Sequence, residues 1–212
     1  MRFFSCAKRM FGLIFLVLLL SRGECAGAAE ESVAPALLRS PGAQIRKSID
    51  DLQRVLRDET LHPDARKERI REVVAARLDM HELARRMLGG HWLQDSALQH
   101  EFIALLTRVI ERLYMDKLDK LAYARVEVLT EKIMAERGYT DYVEVWTRMG
   151  SGIYHYTVIF RMHEVLGEWK IFDIAAEGVS LARNYRAQFD KLLKNESFES
   201  LLERMREKVS AY

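Results

Sequence analysis

Cysteine is scarce in this chain: its 212 residues hold two, Cys6 and Cys25. Both precede the point where the N-terminus is expected to be cut, so the mature chain keeps no thiol for a disulfide, a metal thiolate or a covalent intermediate. Membrane-length apolar runs are also lacking. Phe11 to Leu20 is apolar for ten residues, half of the roughly twenty a spanning helix needs. Charge of one sign is missing as well, with 33 Lys and Arg against 31 Asp and Glu. Removing residues 1 to 28 leaves 29 basic and 30 acidic side chains, a net charge of −1. That balance excludes the basic footprint of a nucleic-acid binder. No glycine-rich phosphate loop occurs, because Gly89-Gly90 is a doublet at a helix end and not a G-x-x-x-x-G-K-[ST] run. His81-Glu82-Leu83-Ala84-Arg85 opens like the zinc motif His-Glu-x-x-His, but Arg85 stands where the second imidazole is required. The other histidines, His62, His91, His100, His155 and His163, are not at ligand spacing, so neither a metal nor a cofactor is expected.

What is present begins with a secretory leader. Arg2, Lys8 and Arg9 precede the apolar run, Ser21-Arg22-Gly23-Glu24 ends it, and Ala26-x-Ala28 offers a small-residue cleavage site. Cleavage is expected after Ala28, giving a secreted protein. Acylation of Cys25 is disfavoured by Glu24, since the residue before a lipidated cysteine is ordinarily small. Residues 29 to 40, with Pro35, suit a flexible entry segment, and 41–212 suffice for a single domain with a sizeable core.

Ser40-Pro41 reads as an N-cap and first helical position, followed by Ile45, Ile49, Leu52 and Leu56 at helical spacing. A second helix starts at Pro63 and carries Ile70, Val73, Val74 and Leu78 on one face. Asp79 with Glu82 forms a capping-box pattern for a short helix ended by Gly89-Gly90, and Ser96 with Gln99 repeats it. The next helix has an unusually wide apolar stripe through Phe102, Leu105, Leu106, Val109 and Leu113, widened by Ile103, Ile110 and Tyr114. After Tyr123 the period changes to two, over about 125–136, 140–149, 153–164 and 168–176. Arg137-Gly138, Gly150-Ser151-Gly152 and Leu166-Gly167 supply the hairpin turns. Helix returns after Gly178, and a last helix begins near Ser197. The expected class is α+β, with helices packed on one face of a curved four-strand antiparallel meander and enclosing an apolar pocket.

Two patterns bear on catalysis. Gly178-Val179-Ser180-Leu181-Ala182 resembles a nucleophile elbow at a strand-to-helix junction, which makes an acyl-ester hydrolase using Ser180 an alternative reading. That elbow belongs to parallel α/β sheets, however, and Ser180 is equally natural as an N-cap. Asp173 and Glu177 could be an acid–base pair, but carboxylates just before a helix commonly satisfy its amides. The stronger expectation is a structural brace of Asp173, Glu177, Asn184, Tyr185 and Arg186.

The segment from Trp169 to Phe189, with Asp173, Glu177-Gly178, Ser180, Asn184-Tyr185-Arg186 and Gln188, resembles the MlaC family, also called the toluene-tolerance auxiliary proteins. The resemblance extends to Met87 through Trp92, to Phe102 through Tyr114, and to the order of helices, meander and closing helices. It implies a periplasmic, monomeric, cofactor-free carrier of phospholipid, with no enzymatic activity. The implied partners are an inner-membrane ABC transporter with an MCE-domain ring and an outer-membrane lipoprotein–porin complex, with no nucleic acid involved. Some relatives belong to hopanoid pathways, so a polycyclic lipid is the alternative cargo. Each methylene kept from water is worth about 0.8 kcal/mol, so a pair of acyl chains with roughly thirty methylenes resists an aqueous crossing by ~24 kcal/mol. The apolar residues expected to line the pocket are Met87, Phe102, Leu105, Leu106, Val109, Val158 and Phe160, with Tyr185 and Arg186 at its mouth.

Overall fold

The computed structural model describes residues 40–93, 97–136, 141–151 and 154–210. The expected leader, its cleavage site, the cap at Ser96 and the Arg137-Gly138 turn lie outside the described residues. Helix α1 (Pro41–Arg57) opens as its sequence predicts, with Ser40 Oγ accepting from the Ala43 amide. Its first turn is pinned to the sheet, because Ser40 Oγ (3.0 Å) and the Gly42 amide (3.1 Å) both donate to Glu131 Oε1. Helix α2 (Pro63–Ala75) is charged around most of its circumference and buries only Ile70. The chain leaving α2 then meets the sheet, where the Ile171 amide donates to the Arg77 carbonyl and the Asp79 amide to the Ile171 carbonyl, each at 2.8 Å.

Helix α3 (Met80–Leu88) is capped by Asp79, which accepts from the Glu82 amide at 2.9 Å. Glu82 does not complete the reciprocal half of a capping box; its carboxylate takes hydrogen bonds from Arg85 and Arg86 instead. After the single turn Gly89–His91, α4 (Ala97–Tyr114) leads into a 3₁₀ stretch, Met115–Leu121. The sheet follows as β1 (Arg125–Met134), β2 (Tyr142–Ser151), β3 (Tyr154–Val165), β4 (Glu168–Ala176) and β5 (Val179–Ser180), antiparallel in chain order. Helices α5 (Leu181–Leu193) and α6 (Phe198–Ser210) complete the described chain.

The α+β class and the antiparallel meander agree with the sequence reading, with one strand more than expected. The added strand comes from a second tight turn. Glu177 (φ 49°) and Gly178 (φ 79°) repeat the doubly positive φ of Leu166 (φ 52°) and Gly167 (φ 82°), the geometry of a two-residue hairpin. Val179 and Ser180 thereby pair with Ala176 and Ala175 before the helix begins. Register also shifts at Leu129 in β1 and at Phe172 in β4, each an extra residue that bends its strand.

Alternation along β2 and β3 sends Val143, Val145, Met149, Val158, Phe160 and Met162 to one face, where they cluster with Ile45 of α1. A separate apolar cluster is made by α3, α4, α5 and α6, around Met87, Phe102, Leu106, Tyr185 and Leu202. The third, Leu52, Leu56, Ile70 and Ala122, joins α1, α2 and the 3₁₀ stretch.

Candidate functional site

A cavity of about 330 Å³ lies where the sheet-facing and helix-joining clusters meet, within the roughly 300–1,000 Å³ of ordinary ligand sites. Its floor is the sheet, through Met149, Tyr156, Val158, Phe160, Ile171 and Ile174. Its walls are α1 (Ile45, Ile49, Leu52), the second half of α2 with its exit (Val73, Val74, Leu78), the end of α4 (Ile110, Tyr114) and the 3₁₀ stretch (Met115, Leu118, Leu121). The surface so formed is almost wholly apolar, and the two tyrosines on it behave accordingly. Burial pushes the Tyr114 hydroxyl up to about 12 and raises that of Tyr156 as well. Neither ionises near neutral pH, so the two hydroxyls add no charge to the hollow.

Val158 and Phe160 are among the expected pocket residues that line this cavity. Met87, Phe102, Leu105 and Leu106 pack instead into the cluster of α3 to α6, with the Phe102 ring 5.6 Å from that of Phe189. Val109 is buried on the same helix but outside the lining. Tyr185 is fully buried in the helical cluster, its ring 5.7 Å from Phe189, and Arg186 lies on the surface toward Asp190 at 3.9 Å. The wide stripe on α4 explains the division. One side of it (Phe102, Leu106) meets α5 and α6, while Ile110 and Tyr114 turn toward the cavity. The wall residues of α1, α2 and the 3₁₀ stretch were not anticipated as lining, although Val73 and Val74, apolar on an otherwise charged helix, were a signal for it.

The strand-to-helix junction is a brace, built from partly different residues than expected. The Asp173 carboxylate is 3% exposed and accepts from Arg161 Nη1 (2.7 Å), Ser180 Oγ (2.6 Å) and the Ala182 amide (2.9 Å). Arg161 Nε also donates to Glu144 Oε1 at 2.9 Å, and Glu144 Oε2 accepts from Trp146 Nε1 at 3.0 Å. Glu177 sits in the turn, where it accepts from the Thr157 amide. Asn184, Tyr185 and Arg186 are replaced in this network by Arg161 and Glu144, which arrive from β3 and β2, far away in sequence. Ser180 Oγ donates to Asp173 and accepts from the Arg183 amide at 3.1 Å as the N-cap of α5. That is the geometry of a cap, with the hydroxyl proton already directed at a carboxylate.

A sheet with helices laid over an apolar hollow defines a class of small α+β proteins that enclose a hydrophobic ligand. The chain belongs to the MlaC protein family, whose profile matches residues 46–207. It is similar to the "Intermembrane phospholipid transport system binding protein MlaC" of Haemophilus influenzae, 22% identical over 128 residues, which span 59% of each chain. In fold it is similar to a phospholipid-binding protein of Ralstonia solanacearum solved in complex with a phospholipid, at a TM-score of 0.68 and 18% identity, covering 80% of this chain and 97% of the other.

Proposed function

We propose that this protein is a periplasmic lipid carrier that takes the acyl chains of a phospholipid into the cavity and shuttles the lipid between inner- and outer-membrane complexes. The observation that carries the reading is the apolar hollow between the sheet and its helices. Water in a hollow lined almost wholly by hydrocarbon gains little from its walls, so the space favours an apolar guest. Acyl chains are such a guest, so the space reads as a site and not as a packing defect. Support comes from the phospholipid held by the Ralstonia protein and from the transport role in the name of the Haemophilus relative. Val158 and Phe160 are the floor contacts in this reading, with Ile49, Val73 and Val74 opposite them.

The partners that fit are an ABC transporter carrying an MCE-domain ring at the inner membrane and a lipoprotein–porin complex at the outer one. Residues 1–28 would be the export signal, 29–40 a flexible lead and 41–212 a single monomeric lipid-binding domain. No catalytic step is part of the proposal, and Ser180 serves as a cap.

Native mass spectrometry of protein purified from periplasm without detergent tests it. Phospholipid at about one per chain is expected, and a polycyclic lipid would change the cargo but keep the carrier. An empty protein that also extracts nothing from vesicles would sink the reading. Val74→Trp, which fills the hollow from its α2 wall, is expected to cut lipid occupancy about tenfold, equivalent to ~1.4 kcal/mol, with the fold retained by circular dichroism.

A further inference from the structure

Five of the side chains around the cavity are charged: Arg71, Arg77, Glu111, Lys117 and Asp173. Arg77 and Asp173 are each held by three hydrogen bonds. Arg77 donates to Ser48 Oγ (3.0 Å), Gln44 Oε1 and the Trp169 carbonyl (3.0 Å), and Asp173 belongs to the junction brace. The other three come from adjoining parts of α2, α4 and the 3₁₀ stretch, and the heads of Arg71 and Glu111 reach water. The Arg71 side chain is 41% exposed and that of Glu111 35%, with Arg71 Nε 3.6 Å from Glu111 Oε2. The half-buried Lys117 holds its ammonium 5.0 Å from the centre of the Tyr114 ring. Long charged side chains that lend carbon stems to an apolar wall and keep their heads solvated mark the edge of that wall. The mouth of the cavity is therefore at Arg71, Glu111 and Lys117.

We propose that this rim is a headgroup subsite that favours a zwitterionic phospholipid ending in a primary ammonium over an anionic one, an inference that rests on the carrier reading above. The phosphodiester lies against Arg71 and Lys117, and the ammonium against Glu111 and Glu68. Arg71 already donates to Glu68 Oε2 at 2.8 Å, so two cations face two carboxylates and the rim as a whole has no excess positive charge for an anionic lipid. The Arg71–Glu111 separation of 3.6 Å is a charge contact too long for a hydrogen bond. Glu111 thus keeps acceptor capacity for the three N–H donors of an ammonium. A headgroup without that cation would bring its phosphate beside two carboxylates and gain nothing from them, which is discrimination by an unpaired charge.

The test loads the mature protein from vesicles holding equal parts phosphatidylethanolamine and phosphatidylglycerol of identical acyl chains, and reads the bound lipids by native mass spectrometry. The wild type is expected to enrich the ethanolamine lipid about two- to fivefold, the weight of a solvent-exposed ion pair. Glu111→Gln should bring the ratio close to that of the vesicles, and Glu111→Lys should invert it. Glu203→Gln, on α6 and outside the lining, should keep the wild-type ratio. Equal uptake of both lipids by the wild type, or an ethanolamine preference that survives in Glu111→Lys, overturns the headgroup subsite and leaves the carrier standing. A wild type that takes up neither lipid overturns the subsite, and overturns the carrier as well if the protein from periplasm is also empty. Should Glu111→Lys fail to fold, the ratio in Glu111→Gln decides alone.

Discussion

At the scale of single residues, Arg161 is a costly side chain to remove. Its guanidinium lies between two buried carboxylates, Glu144 and Asp173, whose side chains are 7% and 3% exposed. Burial works against its charge, and the two carboxylates more than compensate, raising its affinity for the proton. Arg161→Ala strands both anions in the sheet and is expected to destabilise the protein by about 3–5 kcal/mol in urea unfolding, the range for a broken buried pair. Asp79 is a milder case with a pH signature. Burial raises its pKa, but the hydrogen bonds from His163 (2.9 Å) and the Glu82 amide prevail, and the result lies below the ordinary 3.8. A depressed carboxylate stabilises fully above its unfolded value and loses that contribution as pH falls through the folded one. Asp79→Ala should therefore cost about 0.5–2 kcal/mol at neutral pH as a lost cap, whereas Asp79→Asn keeps the cap. Both should flatten the loss of stability below pH ~4, measured as melting temperature against pH.

Among the elements, those with a strong period were legible before any coordinates. The caps at Ser40 and Asp79, the 3.6-residue stripes of α1 and α4 and the alternation of β3 each follow from local chemistry, and the structure places them within a few residues. Strand β5 was not legible, because two residues are too few for a period and Glu177, an ordinary residue at φ 49°, does not announce a turn. The cavity was legible as a consequence of class and resemblance, but its lining was only partly so. Burial alone makes a residue of the solid core and a residue of a pocket wall look identical in sequence, which is why Phe102 and Leu106 read like Val158 and Phe160. The brace behaved similarly: Asp173 and Ser180 lie close in the chain, whereas Arg161 and Glu144 join them only through strand register. Helix α2 shows the cost of a wall with little behind it. It buries one residue and is latched by Arg66, which donates to the Leu56 carbonyl (2.7 Å) and to Asp119 (2.9 Å). Hydrogen exchange should find its amides among the least protected in the described helices, and lipid loading should slow them more than those of β2 to β4. Equal slowing everywhere would contradict a wall that the ligand itself consolidates.

For the molecule as a whole, the apolar interior is divided. One part, from α3, α4, α5 and α6, is mostly filled and meets the cavity through Leu83 and Leu181. The other, from the sheet, α1, α2 and the 3₁₀ stretch, is the one with room inside. Helix α4 serves both, with Phe102 and Leu106 on the filled side and Ile110 and Tyr114 on the hollow one. Two functions that usually compete for the same residues, holding the chain folded and recognising a guest, are thereby assigned to largely different sets, with Leu83 and Leu181 common to both. The division makes the protein a chassis: the guest space can be recut from α2 and the 3₁₀ stretch for a bulkier or smaller passenger, while the helical half goes on paying the thermodynamic cost of having a fold.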